Sequence, residues 1–121
     1  MYLIFDTETT GLPKKWNAPL TESHNWPRCV QLSWQIHDQK GSLTSSRDYL
    51  IKPDGFKIPY DSENIHGIST ELAIQEGEGV NNVLNYFQDD LTKVDYIIGH
   101  NVKFDRNILG AEFLRKGKDD P

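Results

Sequence analysis

The sequence predicts an α/β protein in which helices pack on a mixed sheet. Residues 30–37 alternate apolar and polar side chains, which is typical of a half-buried strand. Apolar residues recur at helical spacing in 80–91 and again in 104–113, which predicts two helices. A hairpin followed by helices, a further strand and a final helix indicates a mixed sheet with helices packed on it.

The predicted elements of the first half form a strand, a long loop and a hairpin. A short buried strand is expected at 2–5. Residues 13–28 contain three prolines and two tryptophans without a clear period, so they are predicted to form a loop that is functional or mobile. Strands at 30–37 and 46–51 are predicted to pair across a turn at 38–42.

The second half is predicted to be mainly helical. Short helical pieces are expected in 59–79, where Ser69 or Thr70 could cap a brief helix. The amphipathic helix described above follows, and a strand is expected at 94–98. The final helix should end near Arg115.

Length and composition favour one domain spanning residues 1–121. The net charge of −5 is unlike the basic face of a general nucleic-acid coating protein, but it does not exclude an enzyme that binds nucleic acid through metal ions. The lone cysteine, Cys29, excludes an intramolecular disulfide and favours a reducing compartment. With no expected signal peptide or membrane-spanning run, a cytoplasmic location is the expectation.

Acidic residues follow two apolar runs that are predicted strands. Asp6 and Glu8 lie one residue apart after the first run, so in a strand they would share a face. Asp105 follows the second run, where Asn101 could cap the coming helix. Carboxylates grouped at strand ends suit magnesium, calcium or manganese. The alternatives are a solvated strand end for the pair and simple stabilisation of the helix start for Asp105.

Two further features have both a functional and a structural interpretation. His66 lies between short helical pieces, where a lone histidine is more often a surface or packing residue than a catalyst. The long loop mixes basic and aromatic residues, which suits single-stranded nucleic acid, although a mobile loop with partly buried tryptophans is about as plausible. The loop residues concerned are Lys14, Lys15, Trp16, Trp26 and Arg28.

Three ordered segments together resemble one enzyme family. Residues 5–12 (FDTETTGL) are similar to the first motif of the DEDD 3′–5′ exonucleases, within which the epsilon proofreading subunit of bacterial DNA polymerase III is most similar. Residues 65–69 (IHGIS) resemble that group's segment near the substrate sugar, and residues 99–105 (GHNVKFD) resemble its second motif. The resemblance covers nearly the whole chain.

The resemblance implies a ribonuclease-H-like fold and hydrolysis of the terminal phosphodiester at a 3′ end, with release of nucleoside monophosphates. It implies two Mg²⁺ or Mn²⁺ ions held by catalytic acids, namely Asp6, Glu8 and Asp105. It also implies residues that position the terminal nucleotide, namely Thr9, His66, His100 and Phe104. The implied partners are 3′ ends of single-stranded DNA or RNA, and a DNA polymerase.

The chain departs from the family pattern in its third motif. In the family a histidine acts as general base and an aspartate shortly after it binds metal, but no histidine follows His100 here. The expectation is therefore a domain truncated at its C-terminus and inactive alone. Phe113 and Leu114 near the end suggest an exposed truncation surface that promotes self-association. The alternative functions are a nucleic-acid-binding module without catalysis and a magnesium-dependent phosphatase.

Overall fold

The computed structural model describes residues 1–120, so Pro121 of the predicted 1–121 domain lies outside the described residues. Four strands form one sheet in the order β3-β2-β1-β4. The strands are β1 (Tyr2–Thr9), β2 (Cys29–His37), β3 (Leu43–Leu50) and β4 (Tyr96–Ile98). The helices are α1 (Tyr60–His66), α2 (Thr70–Glu76), α3 (Val80–Leu91) and α4 (Val102–Arg115).

The sheet is mixed, as the sequence predicted. β1 pairs with β2 and β2 with β3 in antiparallel fashion, whereas β1 and β4 are parallel. β1 does not end at Phe5 as expected, because its ladder with β2 continues to the pair Thr9 and Cys29. β3 begins earlier than predicted, at Leu43, and β4 is only three residues long.

One face of the sheet packs against α3 and α4 to form the main core. The alternation predicted for β2 is confirmed, because its core-facing side chains are buried: Val30, Leu32, Trp34 and Ile36. The helical spacing predicted for α3 is confirmed by the burial of Val80, Val83, Leu84 and Phe87. Burying side chains of this size contributes about 1.5–3 kcal/mol each, so this interface is the main source of stability.

A buried carboxylate ties the core tryptophan to α3. Asp90 is 2% exposed and accepts a hydrogen bond from Trp34 Nε1 at 2.8 Å. Lys93 Nζ lies 2.9 Å from the other carboxylate oxygen, and Arg47 Nε is 3.4 Å from the first. Burial raises the pKa of Asp90, but these donors outweigh it and hold the pKa below its usual value.

Apolar side chains are also exposed, but not where they were expected. Phe113 is fully buried and Leu114 is partly buried, because α4 packs onto the sheet, so the expectation of an exposed surface at these residues is wrong. Exposed apolar side chains lie elsewhere in the fold, and they include Ile4 on β1 and Ile97 and Ile98 on β4, which are 41%, 40% and 45% exposed. Self-association through such a surface stays a prediction.

The helix starts agree with the sequence in one case and differ in another. The Ser69 hydroxyl accepts a hydrogen bond from Leu72 N at 3.0 Å, which confirms Ser69 as the cap of α2. Asn101 occupies the N-cap position of α4, as predicted, but its side chain makes no capping hydrogen bond. The backbone of Asn101, at φ −125° and ψ 68°, is outside the extended conformation that usual caps adopt.

The long loop of residues 13–28 is fixed to α4 by buried charge. Glu112 on α4 is 1% exposed and accepts a hydrogen bond from Arg28 Nε at 2.8 Å. Arg115 also pairs with Glu112, and it donates to the carbonyls of Ser23 and Trp26 at 2.8 and 2.7 Å. The loop that was predicted to be functional or mobile is therefore anchored at its C-terminal part. Within residues 1–120, no helix has the length and apolar character needed to cross a membrane.

Candidate active site

The first acidic motif lies on β1 and alternates across the sheet. Asp6 is exposed and Glu8 is partly exposed, while Thr7 between them is buried at 7% exposure. This alternation supports the prediction that Asp6 and Glu8 share a face. The parallel pairing of β1 with β4 ends at Ile4 and Ile98, so both acids lie beyond the end of β4.

Asp105 reaches the same end of the sheet from the first turn of α4. Its carboxylate is 3% exposed, and Thr7 Oγ1 donates a hydrogen bond to Asp105 Oδ1 at 2.5 Å. This bond joins residues 98 positions apart. It connects the first and second motifs beyond the point where strand pairing stops.

The three carboxylates influence one another electrostatically. Burial raises the pKa of Glu8, and the charges of Asp6 and Asp105 raise it further, while His66 lowers it. Burial also raises the pKa of Asp105, with a further rise from Asp6, against the lowering effect of the Thr7 hydrogen bond. No lysine or arginine within residues 1–120 forms an ion pair with Asp6, Glu8 or Asp105. The site therefore concentrates negative charge.

The donor set suits a hard divalent cation only in part. Asp6 and Glu8 offer carboxylate oxygens on one strand face, which is the ligand chemistry that magnesium and manganese prefer. However, no three acidic, histidine or cysteine side chains in the described chain group closely enough to hold a metal ion. Asp105 is close enough to shift the pKa of Glu8, but its Oδ1 is engaged by Thr7.

A cavity of about 250 Å³ lies beside the acids, and we call it the His66 cavity. It brings together three of the four residues that the resemblance assigned to nucleotide binding, namely Thr9, His66 and Phe104, and it is also lined by Glu8 and Leu12. Thr9 Oγ1 donates to the carbonyl of Gly11 at 2.8 Å, which fixes the turn that follows β1.

The histidine of this cavity has a defined hydrogen-bonding state when it is neutral. His66 ends α1, and its Nδ1 accepts a hydrogen bond from Ile68 N at 3.0 Å. The ring proton of the neutral histidine must therefore be on Nε2. Nε2 is buried and has no hydrogen-bond partner in residues 1–120. His66, which lines the cavity, therefore has a ring N–H without a hydrogen-bond partner in residues 1–120.

His100, the fourth predicted nucleotide residue, is elsewhere. It lines a separate cavity of about 640 Å³, together with Ile4 and Asp6. The structure therefore brings His100 together with Asp6 and does not bring it together with Thr9, His66 and Phe104 in the His66 cavity. The second motif contributes to two cavities, because His100 lies between β4 and α4 whereas Phe104 lies in the first turn of α4.

Two contacts of the site were not predicted from the sequence. The Thr7–Asp105 hydrogen bond is one of them. The sequence indicated only that Thr7, a β-branched polar residue between two acids on a strand, would face the core. The other is the packing of Trp16 against Phe104, with ring centroids 5.5 Å apart. Both contacts join segments distant in sequence, so local patterns could not reveal them.

The fold and these motifs define the class of protein that the chain resembles. In overall structure the chain matches the ribonuclease-H-like fold. Escherichia coli exonuclease I in complex with a dT13 oligonucleotide superposes with a TM-score of 0.79 at 23% identity, covering 98% of this chain and 24% of that chain. A product-bound structure of exonuclease I gives a TM-score of 0.78 at 23% identity, covering 98% of this chain and 26% of that chain. These matches confirm the predicted fold class.

The sequence comparison gives a particular relative. A PolC-type DNA polymerase III of Pediococcus pentosaceus (strain ATCC 25745 / CCUG 21536 / LMG 10740 / 183-1w) is 27% identical over 122 residues, covering 98% of this chain and 7% of that protein. No family model matches the chain. Together with the exonuclease I structures, this match confirms the resemblance to the DEDD 3′–5′ exonucleases. The chain spans about a quarter of exonuclease I and a small part of the polymerase.

Proposed function

We propose that this chain is part of a metal-dependent 3′–5′ exonuclease that acts on single-stranded DNA or RNA. The observation that carries the proposal is the joint position of the acids and the His66 cavity. Glu8 belongs to both, because it shares a strand face with Asp6 and also lines the cavity with Thr9, His66 and Phe104. A terminal nucleotide in this cavity would place its phosphodiester beside the carboxylates.

Asp6 and Glu8 would hold the divalent cations, and Asp105 would assist through water. Bound Mg²⁺ or Mn²⁺ would supply activation of the attacking water and stabilisation of the leaving oxygen. The protein would keep these carboxylates close together although burial, and then repulsion from the neighbouring acids, raises the pKa of Glu8 and Asp105. Binding of a cation would relieve that repulsion.

The His66 cavity would orient the terminal nucleotide. The free Nε2–H of neutral His66 would donate to a sugar or phosphate oxygen, because Nδ1 is already engaged by Ile68 N. Phe104 would supply an apolar surface for the sugar or base, and the turn fixed by Thr9 would shape the cavity wall. A volume of about 250 Å³ is below the usual range of ligand pockets, so the cavity would take one nucleotide unit rather than a longer segment.

Catalysis would need a base and a ligand that residues 1–121 lack, since no histidine follows His100. We therefore expect this chain to bind nucleic acid and cations but to hydrolyse slowly or not at all. Activity is expected from a longer protein in which a histidine and an aspartate complete the third motif. A DNA polymerase in the same chain or complex would be the natural partner of a proofreading activity.

The proposal is tested first by cation binding. Manganese titrated into the wild-type chain should bind weakly, and Asp6→Ala should abolish the binding, whereas Asp38→Ala in the β2–β3 turn should not change it. Equal manganese binding by the wild type and Asp6→Ala would contradict the assignment of Asp6 as a metal ligand. In the longer protein, a 5′-labelled single strand should be shortened stepwise from its 3′ end in a reaction stopped by EDTA. Release of inorganic phosphate alone would favour the phosphatase alternative.

A further inference from the structure

We propose that Trp16 forms a stacking surface for the base of the nucleotide next to the 3′ terminus, with Lys14 and Lys15 contacting the adjoining backbone phosphates. This inference rests on the proposed function and adds a second nucleotide position to it. It assigns a role to the long loop, which the proposed reaction leaves unused. The partner is a single-stranded nucleic acid.

The position of Trp16 carries the first step of the argument. Trp16 lies in the loop between β1 and β2, and its ring packs on Phe104 at a centroid distance of 5.5 Å and an interplanar angle of 53°. Phe104 in turn lines the His66 cavity. Trp16 therefore adjoins a residue that would contact the terminal nucleotide.

The exposure of Trp16 carries the second step. Its side chain is 50% exposed, although Trp26 in the same loop is only 3% exposed and donates its indole N–H to the carbonyl of Pro19 at 3.1 Å. The loop thus buries one tryptophan for its own stability and leaves the other partly open. An indole held against a ring, with half of its surface still exposed, suits stacking with a base.

The backbone around Trp16 is held in place before any ligand binds. Asn25 receives hydrogen bonds from Lys15 N to its Oδ1 at 2.7 Å and from Lys14 N to its carbonyl at 3.3 Å. Its Nδ2 donates back to the carbonyl of Lys15 at 2.9 Å. Because residues 14 and 15 are fixed by these three bonds, less conformational entropy would be lost when the tryptophan stacks on a base.

Charge identifies the chemistry of the partner. Lys14 and Lys15 are exposed, and neither forms an ion pair within the part of the chain that the structure describes. Two unpaired ammonium groups next to an exposed indole, in a protein of net charge −5, match a strand of bases joined by phosphates. An apolar peptide would leave both lysines without a role.

The experiment measures binding of a fluorescently labelled oligo(dT) by the chain in the presence of Ca²⁺. Trp16→Ala should weaken binding about fivefold or more, since that is the loss expected when stacking on one base is removed. Trp16→Phe should recover most of the loss. Tyr96→Ala is the matched control, because Tyr96 is also exposed and also stacks on another ring, Tyr2 at 5.5 Å, but lies at the opposite end of β4.

A second measurement separates stacking from a structural effect. The wild type should bind an oligonucleotide with an abasic residue next to its 3′ terminus more weakly than it binds the intact strand. Trp16→Ala should bind the abasic and the intact strand with equal affinity. Replacing Lys14 and Lys15 with glutamine should reduce the dependence of binding on salt concentration. If Trp16→Ala binds like the wild type, if it loses no more affinity than Tyr96→Ala does, or if the abasic strand loses as much affinity for Trp16→Ala as for the wild type, the inference is wrong. If the wild type binds no oligonucleotide, the proposed function itself fails.

Discussion

Removal of the Glu112 carboxylate should destabilise the fold more than any single exposed charge does. Glu112 pairs with Arg28 and Arg115, whose side chains are only 20% and 14% exposed. Each charge-assisted hydrogen bond contributes about 1.5–3 kcal/mol, and removing one member of a buried ion pair costs about 3–5 kcal/mol. Glu112 Oε2 is buried without a hydrogen-bond partner in residues 1–120, and Glu112→Ala relieves that defect.

The free energy of unfolding should therefore fall by about 2–4 kcal/mol in Glu112→Ala, which is at the lower end of the cost of breaking a buried ion pair. In a domain of this size, the loss should lower the melting temperature by about 10 °C. Arg28 keeps two other contacts, a hydrogen bond to the Asp54 carbonyl at 3.2 Å and packing over the Phe56 ring at 4.5 Å. Complete unfolding is therefore not expected.

Urea unfolding followed by circular dichroism measures this effect. Glu22→Gln, which removes an exposed carboxylate from the same loop region, should change stability by less than about 0.5 kcal/mol. A double-mutant cycle of Glu112→Ala with Arg115→Met should show a coupling of about 1 kcal/mol or more. If Glu112→Ala lowers the free energy of unfolding no more than Glu22→Gln does, the ion pairs of Glu112 with Arg28 and Arg115 do not anchor the loop.

Three further predictions concern buried polar groups and close packing. The stability that ionised Asp90 contributes is present above its unfolded-state pKa and is lost as pH falls through its lowered folded-state pKa. The free energies of unfolding of the wild type and Asp90→Asn should therefore converge as the pH falls through that range. Gly77→Ala should lower the free energy of unfolding in urea by more than about 2 kcal/mol, because a Cβ at this position would approach backbone atoms to between 2.2 and 2.8 Å. Gly79→Ala is the control and should leave stability nearly unchanged, because the nearest atom to its Cβ would be 3.9 Å away. Thr7→Val should lower the free energy of unfolding by about 1–3 kcal/mol and should change manganese binding, because the Asp105 carboxylate loses its buried hydrogen-bond donor. Thr7→Ser keeps the hydroxyl and should behave like the wild type.

The local elements of this fold were largely predictable from the sequence. The alternation in β2 and the helical spacing in α3 identify their buried faces, because periods of two and of 3.6 residues directly reflect strand and helix geometry. The end of β1 was not predictable, because pairing with β2 extends that strand through polar residues. The start of β3 was missed for the same reason, since its residues are mostly exposed.

The sequence by itself determined which residues could bear the chemistry, since Asp6 and Glu8 share a strand face and the three motifs carry the resemblance to DEDD exonucleases. Only the tertiary structure decided how those residues are arranged. It joined Thr7 to Asp105, placed His100 with Asp6 and apart from His66, and set Trp16 against Phe104. These contacts depend on the register of parallel β1 and β4 and on the path of a long loop. Neither is encoded in any local window of residues, because both arise from packing between distant segments.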